Sequence, residues 1–181
     1  MGEQESDSLR YPTGQFIRPE KFYKGETKRN IREIDKFPKR LKDSVKSLSD
    51  EQLETAYRDG GWTLRQVVNH CADSHLNAYC RIKLALTESN PLIKTYNEKL
   101  WAELVDGKTA DIRFSLNMLA SLHKRWVMLL KSLEKEDLHK TFHHPEQNRN
   151  IPIYELIALY AWHCNHHLAH ITQLKQRKGW E

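Results

Sequence analysis

The sequence predicts an all-α protein, an antiparallel four-helix bundle with an extended N-terminal arm. Three observations predict it. Apolar residues recur at steps of three and four through four long stretches, capping boxes open two helical segments, and no stretch alternates convincingly at the period of two that a half-buried strand needs. With 181 residues, 39% hydrophobic content and only seven glycines, the chain can close one sizeable core and not two. Residues 20–181 are read as a single helical domain and residues 1–19 as its arm.

The arm carries Pro12 and Pro19 around Tyr11, Phe16 and Ile17, which suits a segment laid across the body rather than a helix. A first long helix is expected from Glu20 to Leu48, with Pro38 placed to bend or interrupt it. Ser49-x-x-Gln52 is a capping box for a short turn of helix, and Arg58-Asp59-Gly60-Gly61 is a turn. Thr63-x-x-Gln66 is a second capping box and opens a helix over Leu64–Leu86. A short helix follows from Asn97 to Val105, then a long one capped by Asp111 and running to Leu133. The polar stretch 136–150, with His143-His144-Pro145, reads as a loop. Pro152 stands in the first turn of a last helix that runs to Gln176 and stops at Gly179.

Composition narrows the function classes. The net charge of +5 is spread among acidic residues rather than gathered on one face, which argues against a nucleic-acid binder. No run approaches the roughly 18 apolar residues of a membrane span. The acidic N-terminus is neither a secretory signal nor a transit peptide, and Gly2 with Ser6 matches a myristoylation signal only weakly. Three cysteines without framework spacing point to reduced thiols and a cytoplasmic protein.

The chemistry concentrates in His163-Cys-Asn-His-His-Leu-Ala-His170, where four of the ten histidines fall within eight residues. Residues four apart share a helix face, so His163/His167 and His166/His170 are both pairs able to converge on one metal ion. The stripe Leu156, Tyr160, His163, His167, His170, Leu174 is the core-facing seam of that helix. Several buried imidazoles without partners are costly, and a metal satisfies them. A third ligand must come from a facing helix, with His70, His75, His123, His143 and His144 as candidates. His70 lies on a polar stripe with Asn77 at the core's edge, and His75 on the apolar face. The residues favour His70 and leave His75 open, while Asp73 is placed to orient a ligand imidazole.

A succession of segments then resembles a known family. Tyr11-Pro12-Thr13-Gly14, Asp59-Gly60-Gly61-Trp62-Thr63-Leu64-Arg65-Gln66-Val67-Val68, Ala72-Asp73-Ser74-His75, Lys83-Leu84-Ala85-Leu86-Thr87-Glu88 and Trp162-His163-Cys164-Asn165-His166-His167-Leu168-Ala169-His170-Ile171 resemble the DinB/YfiT-like metal-dependent hydrolases from end to end. The resemblance implies a four-helix bundle, a homodimer, and a metal held by His70, His163 and His167. It leaves His166 and His170 for roles beside the ligands or the substrate. Cys71 and Cys164, each next to a ligand, depart from the residues expected there.

Three neutral imidazoles and an open position suit zinc, and equally nickel or another divalent ion. Such a centre would activate water to attack a small-molecule substrate. Cys164 stands where the His-Glu-x-x-His peptidases carry their glutamate, which argues against peptidase chemistry. The alternative is thiol S-transfer, in which the metal holds a low-molecular-weight thiol of the bacillithiol kind, with Arg65 and Arg81 near enough to accommodate its acidic groups.

Overall fold

The computed structural model describes residues 3–180, and no side chains before Asp7. Gly2, invoked in the weak lipidation match, lies outside the described residues. Four long helices form the body: α2 (Lys24–Val45), α4 (Leu64–Thr87), α7 (Ile112–Ser132) and α9 (Ile153–Lys178). Shorter elements connect them: α1 (Glu3–Arg10), α3 (Asp50–Leu53), α5 (Glu98–Ala102), α6 (Val105–Thr109), α8 (Lys135–His139), β1 (Thr141–His144) and β2 (Arg149–Pro152).

Local chemistry sets the ends of the long helices. The Ser49 and Thr63 side chains accept from the backbone N–H of Gln52 and Gln66, and both glutamines return the bond, so both predicted capping boxes form. Asp111 accepts from the Arg113 N–H and starts α7. Gly179, at φ 65°, ends α9 in the left-handed conformation that costs glycine least. Helix α2 continues past Pro38 without interruption. Proline cannot donate to the Ile34 carbonyl one turn back, and that carbonyl accepts from the His123 ring instead, at 2.7 Å.

Each long helix packs against two others: α2 against α7 and α9, and α4 against the same two. The expected antiparallel pairing is found across α4–α9, where His70 and Ser74 face His163 and Tyr160 in reverse order. Two other pairs run in the same direction. In α4–α7, Asn69 meets Ser115, His75 meets His123 and the Tyr79 ring meets Arg125. In α2–α9, Phe22 ahead of α2 meets Tyr154, and Arg40 meets Asn165. The α4–α7 connection is long enough to carry the chain back to the end where α4 began. Its two small helices are tied to α4 by side-chain amides, α5 through Gln66, which donates to the Ala102 carbonyl, and α6 through Asn69, which donates to the Asp106 and Gly107 carbonyls. Gly107 is required there, because a Cβ would stand 2.7 Å from the Trp101 carbonyl oxygen.

Three local expectations give way. The arm is not extended throughout. Residues 3–10 are helical, in a stretch with no glycine, proline or β-branched residue and with Arg10 in the last turn. The 136–150 stretch holds α8 and a hairpin rather than a loop. Phe142 and Ile151 are buried in the core from strands whose other residues, Pro152 apart, are polar. The single helix expected over 97–105 is two, α5 and α6.

The core is one cluster centred on Trp126, Phe37, Ile34, Leu41, Leu64 and Ile157. No helix among the described residues is long and apolar enough to cross a membrane.

Candidate metal centre

Helices α4 and α9 meet at a row of imidazoles. One ring nitrogen from each of His70, His163 and His167 lies within 4.8 Å of the other two. The His70 and His163 Nε2 atoms are 3.2 Å apart. Two nitrogens each 2.0–2.1 Å from a tetrahedral ion would be separated by roughly 3.3 Å, so the spacing fits a shared metal. The helical repeat brings the His163 and His167 rings to 4.3 Å centroid to centroid. Trp62 packs on His70 at 4.6 Å, delivered by the Arg58–Gly61 turn, in which Gly60 takes φ 62°.

The three rings open onto a cavity of about 810 Å³, walled by Tyr57, Trp62, Ser74, Arg81, Tyr96 and His144 among others. Ser74 Oγ stands 3.4 Å from His163 Nε2 and 3.0 Å from the Tyr160 hydroxyl, which itself donates to the Ser74 carbonyl. From the arm, the Gly14 carbonyl accepts from Trp162 Nε1 at 3.0 Å and the Arg10 carbonyl from His170 Nε2 at 3.2 Å.

The electrostatics keep the imidazoles neutral. Burial, then the neighbouring His166, push His70 down to about 4. Burial, followed by the surrounding histidines, holds His163 and His167 well below the usual histidine value. His166, lowered by burial, falls to about 4, and His170, lowered by burial and then His166, to about 3. A neutral imidazole keeps one bare nitrogen, the form a metal requires. The Nδ1 atoms of His166, His167 and His170 are buried without a hydrogen-bond partner, which is costly unless a ligand satisfies them. The donor set therefore fits a divalent metal of the zinc type.

The other predicted residues divide. His166 and His170 sit beside the trio: His166 stacks on Trp162 at 4.4 Å, and His170 on Tyr57 at 3.9 Å. With His167 they form a second close group of ring nitrogens. Asp73 does not reach the ligands. It faces Asp106, and burial, then that carboxylate, raise it to about 6. Arg65 is spent elsewhere, on Glu54, Asp50 and the Ala110 carbonyl, whereas Arg81 does line the cavity. His143 pairs with Asn150 in the hairpin, and His144 reaches the cavity rim.

His123, a weaker candidate for the third ligand by sequence, takes a place in the core that its charged neighbours had hidden. It is buried, 2.7 Å from His75, which in turn stands 3.1 Å from His163. Its signal was available in the spacing Leu119, His123, Trp126, Leu130, a seam in steps of four and three.

A four-helix bundle with an inward-facing histidine trio and an adjoining cavity defines a class of metal-binding helical proteins. The chain belongs to the DinB superfamily, whose family profile matches residues 33–171. Two relatives are named "Putative metal-dependent hydrolase". YfiT of Bacillus subtilis (strain 168) is 46% identical over 97% of this chain and 98% of its own length. A protein of Bacillus cereus (strain 03BB102) is 53% identical over 96% and 99%. The solved structure of B. subtilis YfiT, described as having an unusual four-helix bundle topology, superposes with a TM-score of 0.94 over 96% of this chain and 99% of that one.

Proposed function

We propose that this chain is a metal-dependent hydrolase in which His70, His163 and His167 hold one divalent ion, zinc in the first instance, with a coordination position left open to the cavity. The observation that carries this reading is the trio itself: three rings held neutral, His70 and His167 buried and His163 half-buried, converging at metal-ligand spacing on a cavity wall. No fourth histidine, cysteine or acid joins that group among the described residues, which supports an open catalytic site over a closed structural one. The names of the relatives support the same class. Bound there, zinc would supply Lewis-acid activation of water near neutral pH.

The chain's own residues supply the rest. Trp62 shields His70 from solvent, and the Ser74 and Tyr160 hydroxyls offer hydrogen bonds to a polar substrate group beside His163. His166 and His170, at the edge of the trio, are placed to meet substrate rather than to hold the ion.

A second reading, transfer of a low-molecular-weight thiol, is favoured by one observation. Arg58 and Arg81 line the cavity, and the Nε of each is buried without a partner, as an acidic thiol would require. The setting proposed for either reaction is a homodimer in the cytoplasm. The exposed Val105 and Phe114 support the dimer and the three unpaired cysteines support the compartment.

The test is turnover of electrophilic small molecules, esters and amides first, by metal-reconstituted protein with and without added thiols. Turnover in water alone supports hydrolysis, and strict thiol dependence supports transfer. Full turnover by metal-stripped protein would overturn both.

A further inference from the structure

The carbonyl freed by Pro38 begins a row of hydrogen bonds that ends at the metal position. Ile34 O lies 2.7 Å from His123 Nδ1, His123 Nε2 lies 2.7 Å from His75 Nδ1, and His75 Nε2 lies 3.1 Å from His163 Nδ1. We propose that His75 and His123 are positioning residues, and that this row locks His123, His75 and His163 as their Nδ1–H tautomers so that His163 offers a bare Nε2 to the metal.

The direction of the row follows from its first member. A carbonyl oxygen can only accept, so the proton of that bond belongs to His123 Nδ1. A neutral imidazole carries one N–H, which leaves His123 Nε2 bare and makes His75 Nδ1 the donor to it. The same count at His75 leaves its Nε2 bare and makes His163 Nδ1 the donor. His163 then has no proton on Nε2, the atom that faces His70 Nε2 at 3.2 Å. One oxygen, two rings away, thus determines which nitrogen of the ligand is free.

The surroundings keep this count intact. His75 is 0% exposed and His123 2%. Phe37, Trp126 and Tyr160 pack on the His75 ring, and Phe37 and Trp126 on that of His123, so water has no place along the row. Asp35, the acidic group acting on His123, is turned to the surface and paired with Lys131 at 2.9 Å. Metal-ligating histidines commonly donate their second N–H to a carboxylate or carbonyl, which fixes ring orientation and strengthens the ligand. Here the carbonyl sits on α2, which contributes no ligand, and is reached through one histidine from α4 and one from α7. Pro38 leaves that oxygen without a helical donor, whereas any other residue there would compete for it with an N–H of its own.

The inference rests on His163 being a metal ligand, and its test separates the two claims. Two-bond ¹H–¹⁵N spectra of ¹⁵N-histidine-labelled full-length protein read the tautomer of each ring without any metal present. His75, His123 and His163 are expected in the Nδ1–H form. His123→Phe keeps the ring bulk and removes both bonds. It should release His75 and His163 into mixed tautomers and weaken zinc binding about ten- to a hundredfold. His123→Gln, with an amide N–H for Ile34 and an oxygen for His75, should restore both readouts. If His123→Phe does not fold, Pro38→Ala asks the question from the other end: its new N–H should raise thermal stability while loosening the His163 tautomer. An Nε2–H signature at any of the three rings in folded protein overturns the row, as does a folded His123→Phe variant with unchanged tautomers, while unchanged tautomers in Pro38→Ala overturn the part assigned to Pro38. Should the three signatures appear and zinc titration show no binding, the row stands and the metal reading falls. Should zinc bind through His163 while its metal-free ring is Nε2–H, the reverse holds.

Discussion

The histidines on the two sides of His163 obey different rules. Toward α2 and α7, His75 and His123 have both nitrogens engaged, in bonds of 2.7 to 3.1 Å. Toward the cavity, His166, His167 and His170 each leave a buried Nδ1 without a partner. The first group is complete as it stands and behaves as scaffold. The second carries an unmet demand for a ligand, which among the described residues it shares with Arg58 Nε, Arg81 Nε and Trp126 Nε1, and which is the signature expected of a binding site. Burial alone does not separate the two, since all five rings are buried. What separates them is whether each nitrogen has been assigned a partner.

The largest effect should come from crossing that line at the ligands. His70→Ala or His163→Ala is expected to weaken zinc binding by more than about a hundredfold and abolish metal-dependent turnover, read by elemental analysis after dialysis. A His70 variant that keeps full occupancy while His75→Ala loses it would exchange their roles.

Acid should act on both groups together. Burial lowers His70, His123 and His166 to about 4 and His170 to about 3, so the folded protein cannot take up protons that the unfolded chain binds near 6.5. These groups do not penalise the fold above pH 6.5, and stability is lost as pH falls from there toward 4. The slope is up to about 1.4 kcal/mol per pH unit for each ring. Urea titrations of metal-free protein at pH 7.5, 6 and 5 would measure it, and a flat profile would mean that the rings are protonated in the native state.

A smaller effect distinguishes the cavity rings from the ligands. His170→Gln should leave zinc affinity unchanged and lower turnover several-fold, because the ring holds the Arg10 carbonyl and lies beside the trio. Lost affinity would recast the metal as closed and structural. Smallest is Tyr160→Phe, which deletes the hydroxyl that donates to Ser74 O and should cost about 1 kcal/mol by chemical denaturation.

The parts of the fold that were legible in the sequence are those governed by neighbours along the chain. Ser49 with Gln52, Thr63 with Gln66, and Gly179 all cap as their spacing predicts, and the 163–170 run lies on the buried seam that its period implies. The parts that were not legible depend on other elements. Pro38 reads as a breaker because the donor that reaches the Ile34 carbonyl it strands is a histidine 85 positions later than the proline in the chain. The hairpin hides because only Phe142 and Ile151 of its eight residues are buried. Asp73 has helical spacing suitable for orienting a ligand, yet it faces α6, which no local pattern reveals. The set His70, His163 and His167 was implied by the family resemblance, whereas helical spacing alone left His75 open, because only the placement of α4 beside α9 decides which ring reaches the pair.

The arm's grip on α9 has a consequence for how this protein tolerates mutation. Trp162 and His170 are held by the carbonyl oxygens of Gly14 and Arg10, groups that every residue type possesses. Replacing the Arg10 side chain therefore leaves its bond available, whereas adding or removing one residue between positions 10 and 14 would move one carbonyl by about 3.5 Å relative to the other. Gly14, at φ 76°, adds a preference for glycine at one point of the span. Between these two anchors the chain should accept changes of letter far more readily than changes of length.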